Sequence, residues 1–134
     1  MRIEHRGGVK FAAKVRGHEI QSDLPSPRGT DEGMTPPEWL LASVGACVGV
    51  YIAEFCANHN IPYDGLAVDI DSDKTDNPPR IGAIRCGIHM PDGLPEKMRG
   101  AVLRAARQCF IHNTLCHSPQ VEIDYAPTTD GRAE

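Results

Sequence analysis

Five cysteines and six histidines stand in this 134-residue chain, and their spacing bounds the chemistry open to it. Cys47 lies in the middle of a long uncharged stretch, while Cys109 follows Arg107 and precedes His112. The thiolate is the nucleophilic form of cysteine, and positive neighbours favour it. At Cys109 a helix C-terminus would oppose that influence, because its partial negative charge disfavours a thiolate. Spacing alone reads Cys47 as a packed core thiol, since free cysteine behaves as a small hydrophobe. Cys56 follows nine residues later, about half a turn out of phase at ~100° per residue, and reads as structural. Cys86 reads as an inward strand residue, also structural. A second pattern is Cys109-x2-His112-x3-Cys116-His117, joined by Cys86-x2-His89. These are soft ligands at zinc-like spacings. No Cys-x2-Cys knuckle repeats and no turn glycine separates the members. Loop histidines bonded to backbone or water are therefore the simpler reading, with a zinc module of Cys109, His112 and Cys116 as the alternative.

The element that must position Cys47 is residues 35–60, TPPEWLLASVGACVGVYIAEFCANHN. Thr35 with Glu38 three residues later makes a capping box, and Pro36 suits the first helical position. Asn58, Asn60 and Pro62 predict an end near His59. Trp39 to Ala53 carries no charge, and a helix apolar all round is buried all round. Its length and its Gly and Ala content place it below a membrane span, which takes ~20 apolar residues. Some 24 helical residues measure ~36 Å, against a radius of gyration of ~14 Å for a chain this size. A second copy is the expected cover, with Ala42, Gly45, Ala46, Gly49 and Ala53 small enough for close approach of another helix.

Around it, residues 2–22 read as short strands with a hairpin turn at Arg16-Gly17. DLPSPRGTDEGM, residues 23–34, is a loop leading into the helix. Leu66, Val68 and Ile70 alternate with acidic residues, and Ile84, Cys86, Ile88 and Met90 share one face, predicting an antiparallel hairpin through Thr75–Pro79. A second, amphipathic helix runs from near Pro95 and Glu96 to near Cys109, with Met98, Ala101, Val102 and Ala105 inward. FIHNTLCHSP reads as irregular or one short turn. Val121, Ile123 and Tyr125 read as a last strand, and 127–134 as a disordered tail. The expected architecture is one α+β domain over 1–134, ordered β-β-β-α-β-β-α-β.

The net charge of −4 and the lack of a basic run argue against nucleic-acid binding. The polar start MRIEHRGG does not resemble a signal peptide, so a cytoplasmic location is expected. An odd number of cysteines in a reducing compartment argues against a disulfide scaffold.

Two segments carry a family resemblance. Thr35-Pro36-Pro37-Glu38-Trp39-Leu40-Leu41-Ala42-Ser43-Val44-Gly45-Ala46-Cys47 resembles the P-x-E-L-L-L-A-x-x-G-A-C segment of the OsmC/Ohr family. Cys109-Phe110-Ile111-His112-Asn113-Thr114-Leu115 resembles its C-P-V-x-x-T-L motif, with Phe110 in place of the proline. The resemblance implies intertwined homodimers with long central helices wrapped by sheets, and sites at the interface. It implies a thiol peroxidase acting on organic hydroperoxides and, less well, on hydrogen peroxide. Cys47 would be the peroxidatic cysteine and Cys109 the resolving one, reset by an external dithiol with no cofactor or metal. The family's supporting Glu corresponds to Glu38, displaced by one residue by Pro37. Its supporting Arg corresponds to Arg28 in the loop, or to Arg6 within His5-Arg6-Gly7-Gly8. The rival is a non-enzymatic OsmC-like dimer that binds a small hydrophobic ligand or senses thiol redox state.

Overall fold

The computed structural model describes residues 1–90 and 93–125; the expected tail 127–134 lies outside the described residues. Strands β1 (Arg2–His5), β2 (Phe11–Val15) and β3 (His18–Ser22) form an antiparallel meander in that order. Arg16 and Gly17 both take positive φ, 49° and 80°, between paired Val15 and His18. That is the two-residue turn whose twist matches the strands it joins.

The loop from 23 to 33 is gathered around one buried carboxylate, Asp23. Oδ1 accepts the Leu24 N–H at 2.7 Å. Oδ2 accepts the Thr30 N–H at 3.0 Å, the Thr30 hydroxyl at 2.8 Å and the Glu32 N–H at 3.1 Å. Burial alone would raise its pKa, but these donors together hold it down at about 2.

The central helix, α1 (Pro36–Asn58), has the predicted ends. Thr35 Oγ1 accepts the Glu38 N–H, and Glu38 Oε2 accepts the Thr35 N–H at 2.7 Å. At the far end the His59 ring stacks on Phe55, with Nδ1 2.8 Å from the Phe55 carbonyl, and Asn60 turns to φ 52°. With 23 residues, α1 is long and apolar enough to cross a bilayer, contrary to the sequence expectation. Within the fold it packs against two later helices and a strand, the position of a core helix.

The hairpin of β4 (Ala67–Asp76) and β5 (Pro79–His89) follows, with a bulge at Asp73/Lys74. Val68 and Ile70 face α1. Asp71 and Asp73 face outward and clasp Arg85 at 2.7 and 2.6 Å. Helix α2 (Glu96–Arg107) then leads into a third helix, α3 (Phe110–Cys116), where an irregular segment or one short turn was expected. The last strand is not formed. Residues 121–125 are unpaired, and Val121, Ile123 and Tyr125 are 76%, 92% and 91% exposed. Alternation identifies a segment with strand chemistry, but a strand needs a free edge to pair with, and none among the described residues receives it. The order is therefore β-β-β-α-β-β-α-α.

The core lies between α1, α2 and the start of α3. Val48, Ile52 and Cys56 meet Val102, Ala106 and Cys109. Complete burial of Ile52 and of Val102 contributes about 1.5–3 kcal/mol each. Within the single chain α1 is covered on its faces toward α2, α3 and β4 and open on the remaining one. Leu40, Ala42, Ala46 and Val50 are exposed, Val50 by 54%. One chain supplies two helices and a strand as cover, too little to surround a cylinder of this length.

Gly45 is fixed by packing. A Cβ there would sit 2.9 Å from Ile70 Cγ1, so the absence of a side chain lets α1 settle on β4. Gly45→Val should overpack this contact and lower stability by about 1–3 kcal/mol, read as a reduced melting temperature with the helical circular dichroism retained.

Candidate active site

Cys47 emerges from the fourth turn of α1, half-buried against the core cluster. Cys109 is fully buried in that cluster, in the break between α2 and α3. Cys47 packs against the cluster that holds Cys109, near enough for its thiol to act on that of Cys109. The sequence pair is thus brought together, with both sulfurs free rather than bridged.

The break between the helices decides how Cys109 is held. Gln108 caps α2 and Cys109 takes the N-cap position of α3, with extended backbone. Its Sγ accepts the His112 N–H at 3.4 Å, and the Ile111 N–H also points to it. The sequence sets positive neighbours against a helix C-terminus at Cys109 and leaves the balance open; in the structure the sulfur instead turns onto the first turn of the following helix. Burial still prevails. It pushes the Cys109 thiol above its usual range, reinforced by the neighbouring Cys47 and opposed by the two backbone donors. Cys56 is also sealed in the core, and burial pushes its thiol up.

The supporting residues suggested by the resemblance sit elsewhere. Glu38 spends its carboxylate on Thr35, accepting from the backbone N–H and from the hydroxyl at 2.9 Å. These bonds hold its pKa below the usual value. Arg28 lies exposed on the loop that Asp23 gathers, and Arg6 reaches Glu4 at 3.2 Å. Among the described residues, none of these three side chains bonds to Cys47 or Cys109.

Cys86 is a correction. It lies opposite Ile70, on the face of the hairpin that meets α1, as alternation predicts. It is nevertheless exposed, because the hairpin overhangs the N-terminal half of α1 and leaves a gap. That gap is a largely apolar cavity of about 800 Å³, lined by Leu40, Val44, Ile84, Cys86, His112 and Cys116 among others. Neither Cys47 nor Cys109 lines it. His112 Nε2 lies 3.5 Å from Cys116 Sγ, the i, i+4 contact that α3 creates. The sequence offers His112 as a loop histidine bonded to backbone or water, with zinc ligation by Cys109, His112 and Cys116 as the alternative. The zinc reading fails on geometry: Cys109 turns to Cys47 while His112 and Cys116 face the cavity. Among the described residues no three His, Cys, Asp or Glu side chains gather closely enough to hold a metal ion.

With this arrangement in hand, comparison with known proteins assigns the family. The OsmC-like protein family model matches residues 29–124. The chain belongs to the OsmC family. Solved structures share the fold at low identity. A candidate osmotic stress induced and detoxification response protein from Psychrobacter arcticus superposes with a TM-score of 0.78 at 19% identity, over 84% of this chain and 85% of that one. An OsmC-like protein from Mycoplasma pneumoniae gives 0.73 at 18%, over 87% and 86%. An organic hydroperoxide resistance protein OsmC from Legionella pneumophila gives 0.59 at 16%, over 85% of each chain. No curated protein matches the sequence at a significant level.

The raised thiols of Cys56 and Cys109 fix the sign of an alkaline pH effect. Above their ordinary value of 9.0 the unfolded chain releases these protons while the folded chain retains them. The unfolded state then binds fewer protons, so stability falls as pH rises from about 9. Melting temperatures measured between pH 7 and 10 should decline in the wild type and decline less steeply in Cys56→Ala.

Proposed function

We propose that this OsmC-family chain is a thiol-dependent peroxidase that reduces organic hydroperoxides, and hydrogen peroxide less well, in cytoplasmic defence against oxidative stress. The observation that carries this reading is the packing of Cys47 against the core cluster that holds Cys109, at the break between α2 and α3. A two-thiol peroxidase needs one sulfur that peroxide can reach and a second already beside it. Cys47 is the more accessible of the two, and Cys109, buried and with its proton held more tightly, suits the second role. The Legionella relative's description as an organic hydroperoxide resistance protein is consistent with this chemistry.

In the proposed reaction the Cys47 thiolate attacks the O–O bond. The alcohol departs with a proton, and Cys47 becomes a sulfenic acid. The Cys109 sulfur displaces water from it and forms a disulfide. An external dithiol restores both thiols by two exchange steps and leaves as its own disulfide. No metal or cofactor enters the balance. Glu38 and Arg28 have no step in this scheme, since neither bonds to either thiol.

The alternative is a non-enzymatic dimer that binds a small hydrophobic ligand or senses thiol state, and the apolar cavity favours it. Peroxide consumption separates the two readings. With a dithiol reductant, the wild type should turn over tert-butyl hydroperoxide, and Cys47→Ser should lose all turnover. Cys109→Ser should consume one equivalent in forming the sulfenic acid without efficient turnover, and under excess peroxide a second equivalent as Cys47 passes to sulfinic acid. In the wild type one equivalent of peroxide should join Cys47 to Cys109 in the peptide map. Turnover retained in Cys47→Ser, or a first bridge between Cys109 and Cys116, would overturn the mechanism.

A homodimer is part of the same proposal. The open face of α1 presents Ala42, Ala46, Gly49, Val50 and Ala53 as a groove beside Leu66 and Val68. A second copy of α1 is the partner that such small, uncharged residues admit. The wild type should sediment as a dimer at micromolar concentration. Gly49→Arg should place an unpaired charge in the contact at a cost of about 3–5 kcal/mol and give insoluble or unfolded protein. A folded wild-type monomer at that concentration would show that the face needs no partner.

A further inference from the structure

The cavity between α1, β5 and α3 holds chemistry that the peroxidase scheme leaves unused. Its wall carries a thiol and an imidazole in contact, Cys116 Sγ and His112 Nε2 at 3.5 Å, with a second thiol, Cys86, on the facing strand. A nucleophile and a base within reach of each other form the minimal unit of thiol addition chemistry. The imidazole is held by its surroundings. Its Nδ1 is buried with no hydrogen-bond partner among the described residues, so Nε2, beside the sulfur, is the nitrogen left to exchange a proton with it. Apart from Arg80 the rest of the lining is apolar, with Leu40, Val44 and Ile84 prominent, and about 800 Å³ lies within the range of small-molecule sites.

We propose that Cys116 is a second nucleophilic site, separate from the Cys47–Cys109 pair, that takes apolar α,β-unsaturated carbonyl compounds such as medium-chain enals. The Cys116 sulfur forms a bond to the β-carbon. The C=C electron pair moves toward the carbonyl as an enolate, the thiol proton passes to His112 Nε2, and it returns to the α-carbon. The adduct contains every atom of thiol and enal, and nothing is oxidised or reduced. The aliphatic wall holds the alkyl tail, and the His112–Cys116 contact decides which thiol reacts. Cys86 shares the cavity without an imidazole beside it, which makes it the internal reference.

The test uses the intact protein, pre-reduced, with trans-2-octenal at neutral pH and peptide mass mapping over time. Octenal should add to Cys116 more than about tenfold faster than to Cys86. His112→Gln should bring Cys116 down toward the Cys86 rate while Cys86 itself is unchanged. Acrylamide, which has no apolar tail, should show a smaller preference for Cys116 than octenal does. Peroxide-induced joining of Cys47 to Cys109 should persist in His112→Gln and in Cys116→Ser, which reports both variants as folded. Equal labelling of Cys86 and Cys116 in the wild type overturns the proposal without any variant. So does a Cys116 rate that His112→Gln leaves unchanged, and neither result bears on the peroxidase reading.

Discussion

A helix of about six turns, uncharged from Trp39 to Ala53, cannot be covered by a chain this small, and most of the structure follows from how that burden is shared. From Trp39 to Ala53 no side chain of α1 is charged, so every face seeks apolar company. Helix α2 lays Val102 and Ala106 along Val48, Ile52 and Cys56, while β4 settles on Gly45. The third side is left to Ala42, Ala46, Gly49 and Ala53, residues too small to collapse on one another and well suited to another backbone. The same residues thus explain both the tight seat of β4 and the exposed groove.

The thiol pair depends on a second constraint, the end of α2. Had that helix run on through Cys109, the sulfur would have faced the partial negative charge of a C-terminus. The chain breaks at Gln108, and Cys109 caps α3 with its side chain. A sulfur in that place receives backbone donors but is also shut in, and for Cys109 the shutting in prevails. The result is asymmetric. One thiol is buried, with its pKa pushed up, and it lies beside a second that is only half-buried.

Much of this was legible in the residues. Thr35 with Glu38 gives the start of α1, and Asn58 to Pro62 gives its end, because caps and helix breakers act over a few residues and leave local signatures. The two hairpins were legible in alternation and turn chemistry. The failures have a common cause, since they depend on groups distant in sequence. Helix α3 is short and is capped by a cysteine, a residue absent from the usual N-cap set. Residues 121–125 have strand composition without an edge to join. Cys86 has the predicted orientation, yet exposure depends on what lies opposite, and there α1 leaves a gap. Once α3 was missed, the His112–Cys116 contact could not be seen, because i, i+4 proximity exists only in a helix.

The two thiol environments show that the neighbour, more than the cysteine, decides the chemistry. Beside Cys47 stands another thiol. A sulfenic acid formed there meets its reaction partner within the same molecule, so capture gains the advantage of a pre-oriented intramolecular step over attack by a second peroxide. Beside Cys116 stands an imidazole, which can hold a proton but cannot reduce sulfur. Placed in the Cys116 position, a sulfenic acid would lack the contact that rescues one at Cys47. Placed in the Cys47 position, a conjugate addition would lack its base and would block the sulfur that Cys109 must reach. Separate positions on α1 and α3 would therefore let one small domain keep the proposed redox pair and the proposed proton-coupled nucleophile without either consuming the other.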